Sequence, residues 1–262
     1  MKYYKSIVIF FCCIFLLYSS INLIKIYNSY SPAKERTIFA TTKHKDDTLR
    51  IAYYGDSWAE MHKNHDCKIE RLITDQTNKP VKLSSHGLSG MTSKQIYEYM
   101  FQDKETHDFI RQGYDYIFIS TGINDCNNKT SSKFYKKDMS YIIKFMLKNH
   151  IFPIILEIPD YNIYKAYENQ DIKKKLIRSF SMLINCTSLD CKQEFRDALD
   201  ELIKEMRYND KVSVIRYKSW NNDYENDLKR LYLNDGIHLN EDGYSTLDSM
   251  IAQTILHHYT LR

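Results

Sequence analysis

Apolar and polar positions divide the chain into three stretches of different rhythm. From Ser6 to Ile24, nineteen residues pass without a charge. At about 1.5 Å per residue this is roughly 28 Å of helix, close to the ~30 Å hydrocarbon core of a bilayer. Residues 28–48 carry no sustained apolar period and read as a polar linker. From Leu49 onward, short apolar runs alternate with longer segments of helical period. Leu49–Tyr54, Val81–Ser84, Tyr116–Ser120, Ile151–Ile158 (interrupted by Pro153) and Val212–Tyr217 read as strands. Helical segments are expected from Ser57 to about Thr77, from Ser93, over Phe134–Lys148, Ile172–Leu183 and Lys192–Tyr208, and over Asp242–His258 at the end. Tyr116–Ser120 is apolar without alternation, the pattern of a strand covered on both faces. In Phe134–Lys148, Met139, Ile142, Ile143, Met146 and Leu147 recur on one side. About five alternations of strand and helix predict one three-layer α/β domain over residues 49–262, built on a parallel sheet, with no internal repeat.

Charge sharpens the division. The 262 residues carry a formal charge of +4, but five basic residues and one acid fall before position 37, leaving 32 of each sign behind them. The globular part is neutral, so bulk attraction to nucleic acid is not expected. Hydrophobic residues make up 43% of the chain, enough for a core and too many for a disordered protein. Lys2 and Lys5 precede the uncharged stretch, as in a cleaved signal peptide. The stretch is longer than the usual ~7–15 residues and is followed by Tyr18-Ser19-Ser20 rather than by an Ala-x-Ala-like site. A single-pass transmembrane helix over residues 1–27 is therefore expected, with the domain extracytoplasmic; secretion after cleavage is the alternative. Lys25, Lys34 and Arg36 at the far end nearly cancel the positive-inside bias. Cys12 and Cys13 lie in the apolar stretch, and Cys67, Cys126, Cys186 and Cys191 in the domain. On an oxidising side the four permit disulfides, and Cys186 with Cys191 could close a short loop; buried free thiols are the alternative. No Cys-x-x-Cys pair marks a structural zinc site.

In an open parallel sheet, ligands bind beyond the carboxyl ends of the strands. The first strand is followed there by Gly55-Asp56-Ser57, and the second by Gly87-Leu88-Ser89-Gly90-Met91-Thr92. The third runs into Thr121-Gly122-Ile123-Asn124-Asp125, and near the C-terminus stands Asp235-Gly236-Ile237-His238. A serine hydroxyl becomes a nucleophile when a neighbouring imidazole takes its proton, and a carboxylate three residues from that imidazole can fix its tautomer. Taken singly, each block has a plainer reading: Ser57 as a helix cap, Gly90 as a turn, Asn124-Asp125 as a strand-to-helix turn, Asp235 and His238 as loop and cap.

Together and in this order, the four blocks resemble those of the SGNH hydrolases, the GDSL-type esterase family, over roughly Arg50 to Leu256. The resemblance implies a flavodoxin-like five-stranded sheet and no metal or organic cofactor. It also implies Ser57 as nucleophile, Asp235 and His238 as its triad partners, and an oxyanion hole formed by Ser57, Gly90 and Asn124. Gly90 is chosen over Gly87 because the family's second block reads Ser-Gly-x-Thr. Such donors stabilise the charge that develops on the carbonyl oxygen, and loss of one typically costs about 3 kcal/mol of barrier.

The expected reaction is hydrolysis of short-chain esters, above all acetyl esters on surface or cell-wall carbohydrate, through an acyl-enzyme on Ser57. The alternatives are a carbohydrate O-acyltransferase using the same triad and a catalytically silent glycan-binding module. Trp58, Asp160 and Tyr161 are candidate substrate walls. His62, His65 and Asp66 have a spacing that could suit a metal, but read better as surface polar residues, so no metal is expected. Lys173-Lys174-Lys175 reads as a solvated helix face, and His257-His258 as an exposed helix end.

Overall fold

The computed structural model describes residues 2–29, 31–221 and 223–261, without the side chains of residues 2–4 and 22–29. The chain divides into two units, residues 1–32 and 33–262. The first holds a single helix, α1 (Lys2–Ser29). Among the described residues no helix is long and apolar enough to cross a membrane. The transmembrane helix expected over residues 1–27 is thus not supported there, and the side chains of residues 1–4 and 22–27 lie outside those described.

In the second unit, five strands pair in parallel in the order β2-β1-β3-β4-β5: β1 (Leu49–Gly55), β2 (Val81–Gly87), β3 (Tyr116–Ser120), β4 (Phe152–Leu156) and β5 (Ser213–Ile215). Every residue of β3 and β4 is buried, as expected of strands rich in apolar residues and covered on both faces. Pro153 is tolerated inside β4 because only β3 lies beside it at that level; β5 pairs no earlier than Ile154. The helices are α2 (Ser57–His62), α3 (Ile69–Thr77), α4 (Ser93–Gln102), α5 (Lys104–Arg111), α6 (Ile123–Asn128) and α7 (Ser132–Lys148). They continue with α8 (Ile163–Glu168), α9 (Ile172–Asn185), α10 (Lys192–Glu205), α11 (Tyr224–Leu231) and α12 (Glu241–Thr260). α4, α5, α7 and α10 pack as one layer, and α3, α11 and α12 as another. The ends of β1, β2 and β3 are level, with Gly55 beside both Gly87 and Ser120. Strand order reverses direction between β1 and β3, which is where a doubly wound sheet opens its ligand crevice.

Three expectations change. The helix expected from Ser57 to Thr77 is two helices. Buried Asp248 draws the intervening turn inward, one oxygen meeting His62 Nε2 at 2.7 Å and the other accepting the Lys68 N–H at 2.8 Å. The last strand stops at Ile215 because Glu157 accepts the Tyr217 N–H at 3.0 Å and pairs with Arg216, turning the chain into a 3-10 helix at Tyr217–Ser219. The linker is docked rather than free from Ala33 onward. The N–H groups of Ala33, Arg36 and Thr41 are held by Asp138, Tyr97 and Asn149.

Burial pushes the Asp138 carboxyl up to about 7, although the Ala33 N–H at 2.7 Å works against that rise. The folded chain therefore keeps a proton that the unfolded chain releases, and stability falls as pH rises from about 4 to about 7. Asp138→Asn removes this cost. Its melting temperature relative to the parent is expected to rise between about pH 4 and pH 7 and then to level off. An unchanged gap in parallel thermal melts would refute the assignment.

Candidate active site

Asp56 ends β1's run and caps α2, its Oδ1 accepting the Trp58 N–H at 3.1 Å. Ser57 becomes the first helical residue, with its side chain at the strand ends and its N–H among those a helix leaves unpaired. α2 approaches this closely because residue 87 is glycine. A Cβ there would lie 2.3 Å from the Glu60 nitrogen.

The Asp235–His238 loop reaches the same point from the other end of the chain. Ser57 Oγ lies 2.9 Å from His238 Nε2, and His238 Nδ1 lies 2.6 Å from Asp235 Oδ2. Asp235 Oδ1 accepts the N–H groups of Ile237, at 2.8 Å, and His238, at 3.0 Å. Burial works to raise the Asp235 pKa, but the bonds from the His238 side chain and the two amides hold its carboxyl below the usual range. With the Nδ1 hydrogen on the carboxylate, Nε2 presents its lone pair to the Ser57 hydroxyl. The loop is fixed from outside. Trp58 Nε1 donates to the Ile237 carbonyl at 3.1 Å, and Gly236 accepts the Asn162 N–H at 2.9 Å.

The second and third blocks are stitched together beside this line. Glu60 accepts both the N–H and the hydroxyl of Ser89. Asn124 Nδ2 donates to the Met91 carbonyl at 3.0 Å, and buried Asp125 accepts the N–H and hydroxyl of Ser93 at 2.8 and 2.6 Å. These bonds fix both sides of Gly90, which has φ +81° and nothing within 4 Å of where a Cβ would stand. The backbone there is thus open to an approaching atom and needs a residue that accepts a left-handed conformation. Asn124 Nδ2 also donates to Asp56 Oδ2 at 3.1 Å. Both amide hydrogens therefore face protein acceptors, and an oxyanion would have to share one of them. Burial pushes the Asp56 carboxyl up to about 7 and the Asp125 carboxyl to about 6.

The structure thus brings Ser57, His238 and Asp235 into one hydrogen-bonded line. Gly90 and Asn124 are bound into the second and third blocks, and Asn124 is tied through Asp56 to the segment that carries Ser57. Trp58 is not a substrate wall. It is fully buried, with Tyr244 donating to its carbonyl, and acts as a prop for the histidine loop. Asp160 is paired with Arg196 at 2.7 Å, and the Tyr161 ring is buried with its hydroxyl on Asn127. Both nonetheless line a cavity of about 650 Å³ with Tyr164, Tyr224 and Asn162. It adjoins the histidine loop, since Asn162 and Tyr224 both bond to the Gly236 carbonyl. Sequence reasoning missed the loop-holding role of Glu60 and Asp125, whose partners lie 29 and 32 residues away. His62 groups with Cys67 and Asp248 rather than with Asp66, their ligand-type atoms lying within 4.8 Å of one another.

Residues 53–245 match the model of the GDSL-like Lipase/Acylhydrolase family. No curated protein matches the chain. Among solved structures it is similar to the acetyl xylan esterase AlAXEase, with TM-score 0.56 and 15% identity over 79% of this chain and 100% of that one. It is also similar to the lipase/acylhydrolase from Enterococcus faecalis, with TM-score 0.55 and 13% identity over 79% and 95%. A third is the psychrotrophic esterase EstA from Pseudoalteromonas sp., inhibited by monoethylphosphonate, with TM-score 0.52 and 14% identity over 81% and 98%. At these identities the likeness is one of fold.

Proposed function

This chain belongs to the GDSL-like lipase/acylhydrolase family, and from that premise we propose that it hydrolyses short-chain esters, acetyl esters above all, through an acyl-enzyme on Ser57. The observation that carries the reading is the line Ser57–His238–Asp235, at 2.9 and 2.6 Å. His238 Nε2 takes the hydroxyl proton as Ser57 Oγ attacks the carbonyl carbon. The N–H groups of Ser57 and Gly90 and the Asn124 amide receive the charge on the carbonyl oxygen. His238 then gives the proton to the departing alcohol. Water, activated by the same imidazole, attacks the acyl carbon and releases the acid and free Ser57.

The alcohol we assign is a carbohydrate hydroxyl. The cavity beside the histidine loop supports this, because it combines tyrosines with Asp190, Lys192 and Gln193, a mixture of apolar faces and hydrogen-bonding groups suited to a polyol. The fold shared with an acetyl xylan esterase agrees. Release of acetate from acetylated glycans, compared with a simple aryl acetate, tests the assignment. A kcat/KM at least tenfold higher on a glycan is expected. Activity confined to the aryl ester would refute the carbohydrate assignment, and acyl transfer to an added sugar exceeding hydrolysis would replace the hydrolase by a transferase.

We place the domain outside the cytoplasm. Lys2 and Lys5 followed by nineteen uncharged residues have the pattern of a secretory N-terminus. Protease added to intact cells should digest the domain, and complete protection would contradict this.

A further inference from the structure

Two residues after Asn124, the inner side of α6 carries Cys126, fully buried against Cys191 at the N-terminal end of α10, with 2.8 Å between the sulfur atoms. They stand 65 positions apart in the chain. Cys186 and Cys191, which could have closed a short loop, are both free thiols. Cys186 is exposed, and its sulfur faces the Leu183 carbonyl. Lys129, fully buried although cationic, places its ammonium 3.7 Å from the Cys191 sulfur and also on the Leu189 carbonyl.

We propose that Cys126 and Cys191 are a disulfide site, oxidised by exchange with an external disulfide, which fastens the helix carrying Asn124 and Asp125 to α10. Three features favour the chemistry. The sulfurs are already within van der Waals contact, so no element has to move far to join them. The S–H of Cys126 and the Lys129 ammonium both stabilise negative charge on Cys191, which lowers its pKa, while burial raises that of Cys126. Both sulfurs are fully buried in the folded chain, so the exchange takes place as the chain folds, while the end of α10 is still open to the external disulfide, and Cys191 is the thiolate that begins it. It attacks one sulfur of the external disulfide and expels the other as a thiolate. Cys126, giving up its proton, then attacks the Cys191 sulfur of the mixed disulfide and expels the second thiolate. The protein loses two protons and two electrons, and the external disulfide becomes two thiols.

The fastening bears on the site because α6 carries Asn124 and Asp125, the latter accepting the N–H and hydroxyl of Ser93 at the start of α4. The pairing is independent of whether the chain is an esterase, and its primary test reads mass rather than activity. The full chain, refolded with glutathione disulfide, is alkylated after denaturation and mapped by peptide mass spectrometry. The expected product is two hydrogen atoms lighter, with a Cys126–Cys191 linked peptide and with Cys12, Cys13, Cys67 and Cys186 alkylated. Reducing the bond should lower the melting temperature by on the order of 5–15 °C. This comparison uses the unaltered chain and does not depend on a variant folding. A Cys67→Ser, Cys186→Ser double variant should retain the linkage. Alkylation of both Cys126 and Cys191 after exposure to the disulfide, or linkage through Cys67 or Cys186 instead, would overturn the proposal.

Discussion

Ser57→Ala is expected to lower kcat on a short-chain aryl acetate by about 10⁵–10⁶-fold, the scale on which loss of a triad nucleophile acts. The fold should barely respond. Among the described residues the Ser57 hydroxyl bonds only to His238 Nε2, and the cap of α2 is supplied by Asp56, so the change in stability should stay within about 1 kcal/mol. Steady-state kinetics beside a thermal melt separates the two effects. A variant that melts like its parent and retains more than about a hundredth of the activity would remove Ser57 from the nucleophile's role.

The second large effect is expected at Asp235, and its reason lies in how the two carboxylate oxygens are used. Oδ1 holds the N–H groups of Ile237 and His238, and Oδ2 faces His238 Nδ1. In Asp235→Asn the single amide oxygen is needed for the two backbone donors, so the NH₂ group must face the imidazole. Nδ1 then has to accept, the ring proton moves to Nε2, and the nitrogen opposite Ser57 can no longer take a proton. The loop geometry survives while kcat is expected to fall by about 10⁴-fold. Asp235→Ala should lose comparable activity and also loosen the loop, since two backbone donors are left without their acceptor. Near-parental activity in the Asn variant would show that the carboxylate does not set the tautomer.

The elements that could be read from sequence are those whose causes are local. The unbroken apolar runs at Tyr116–Ser120 and Ile154–Leu156 become the buried central strands, and Gly-Asp-Ser after the first strand becomes a strand, a cap and a helix start. Asp235 and His238 are three residues apart and bond within their own turn, so that half of the site needs no distant information. What escaped reading depends on partners far along the chain. The break after His62 is made by Asp248, 186 residues away, and the same distance separates Trp58 from the Tyr244 hydroxyl that bonds its carbonyl. A tryptophan next to Ser57 therefore looks like a substrate wall in sequence and is a buried prop in the fold. For the cysteines, nearness in sequence left a Cys186–Cys191 loop and buried free thiols as alternatives; the thiols are free, and packing of α6 on α10 sets Cys126 beside Cys191. The residues from Ala33 to Thr48 carry no apolar period, yet they are held by hydrogen bonds from their own backbone, which no side-chain pattern announces.

Everything functional rests on the Ser57 hydroxyl being made nucleophilic by the imidazole of His238. Labelling of the intact protein with a fluorophosphonate, followed by peptide mapping, tests this most directly. A single phosphonyl adduct on Ser57, lost in a folded His238→Ala variant, is the predicted result. A folded protein that stays unmodified at Ser57, or that is labelled there equally well without His238, would contradict it.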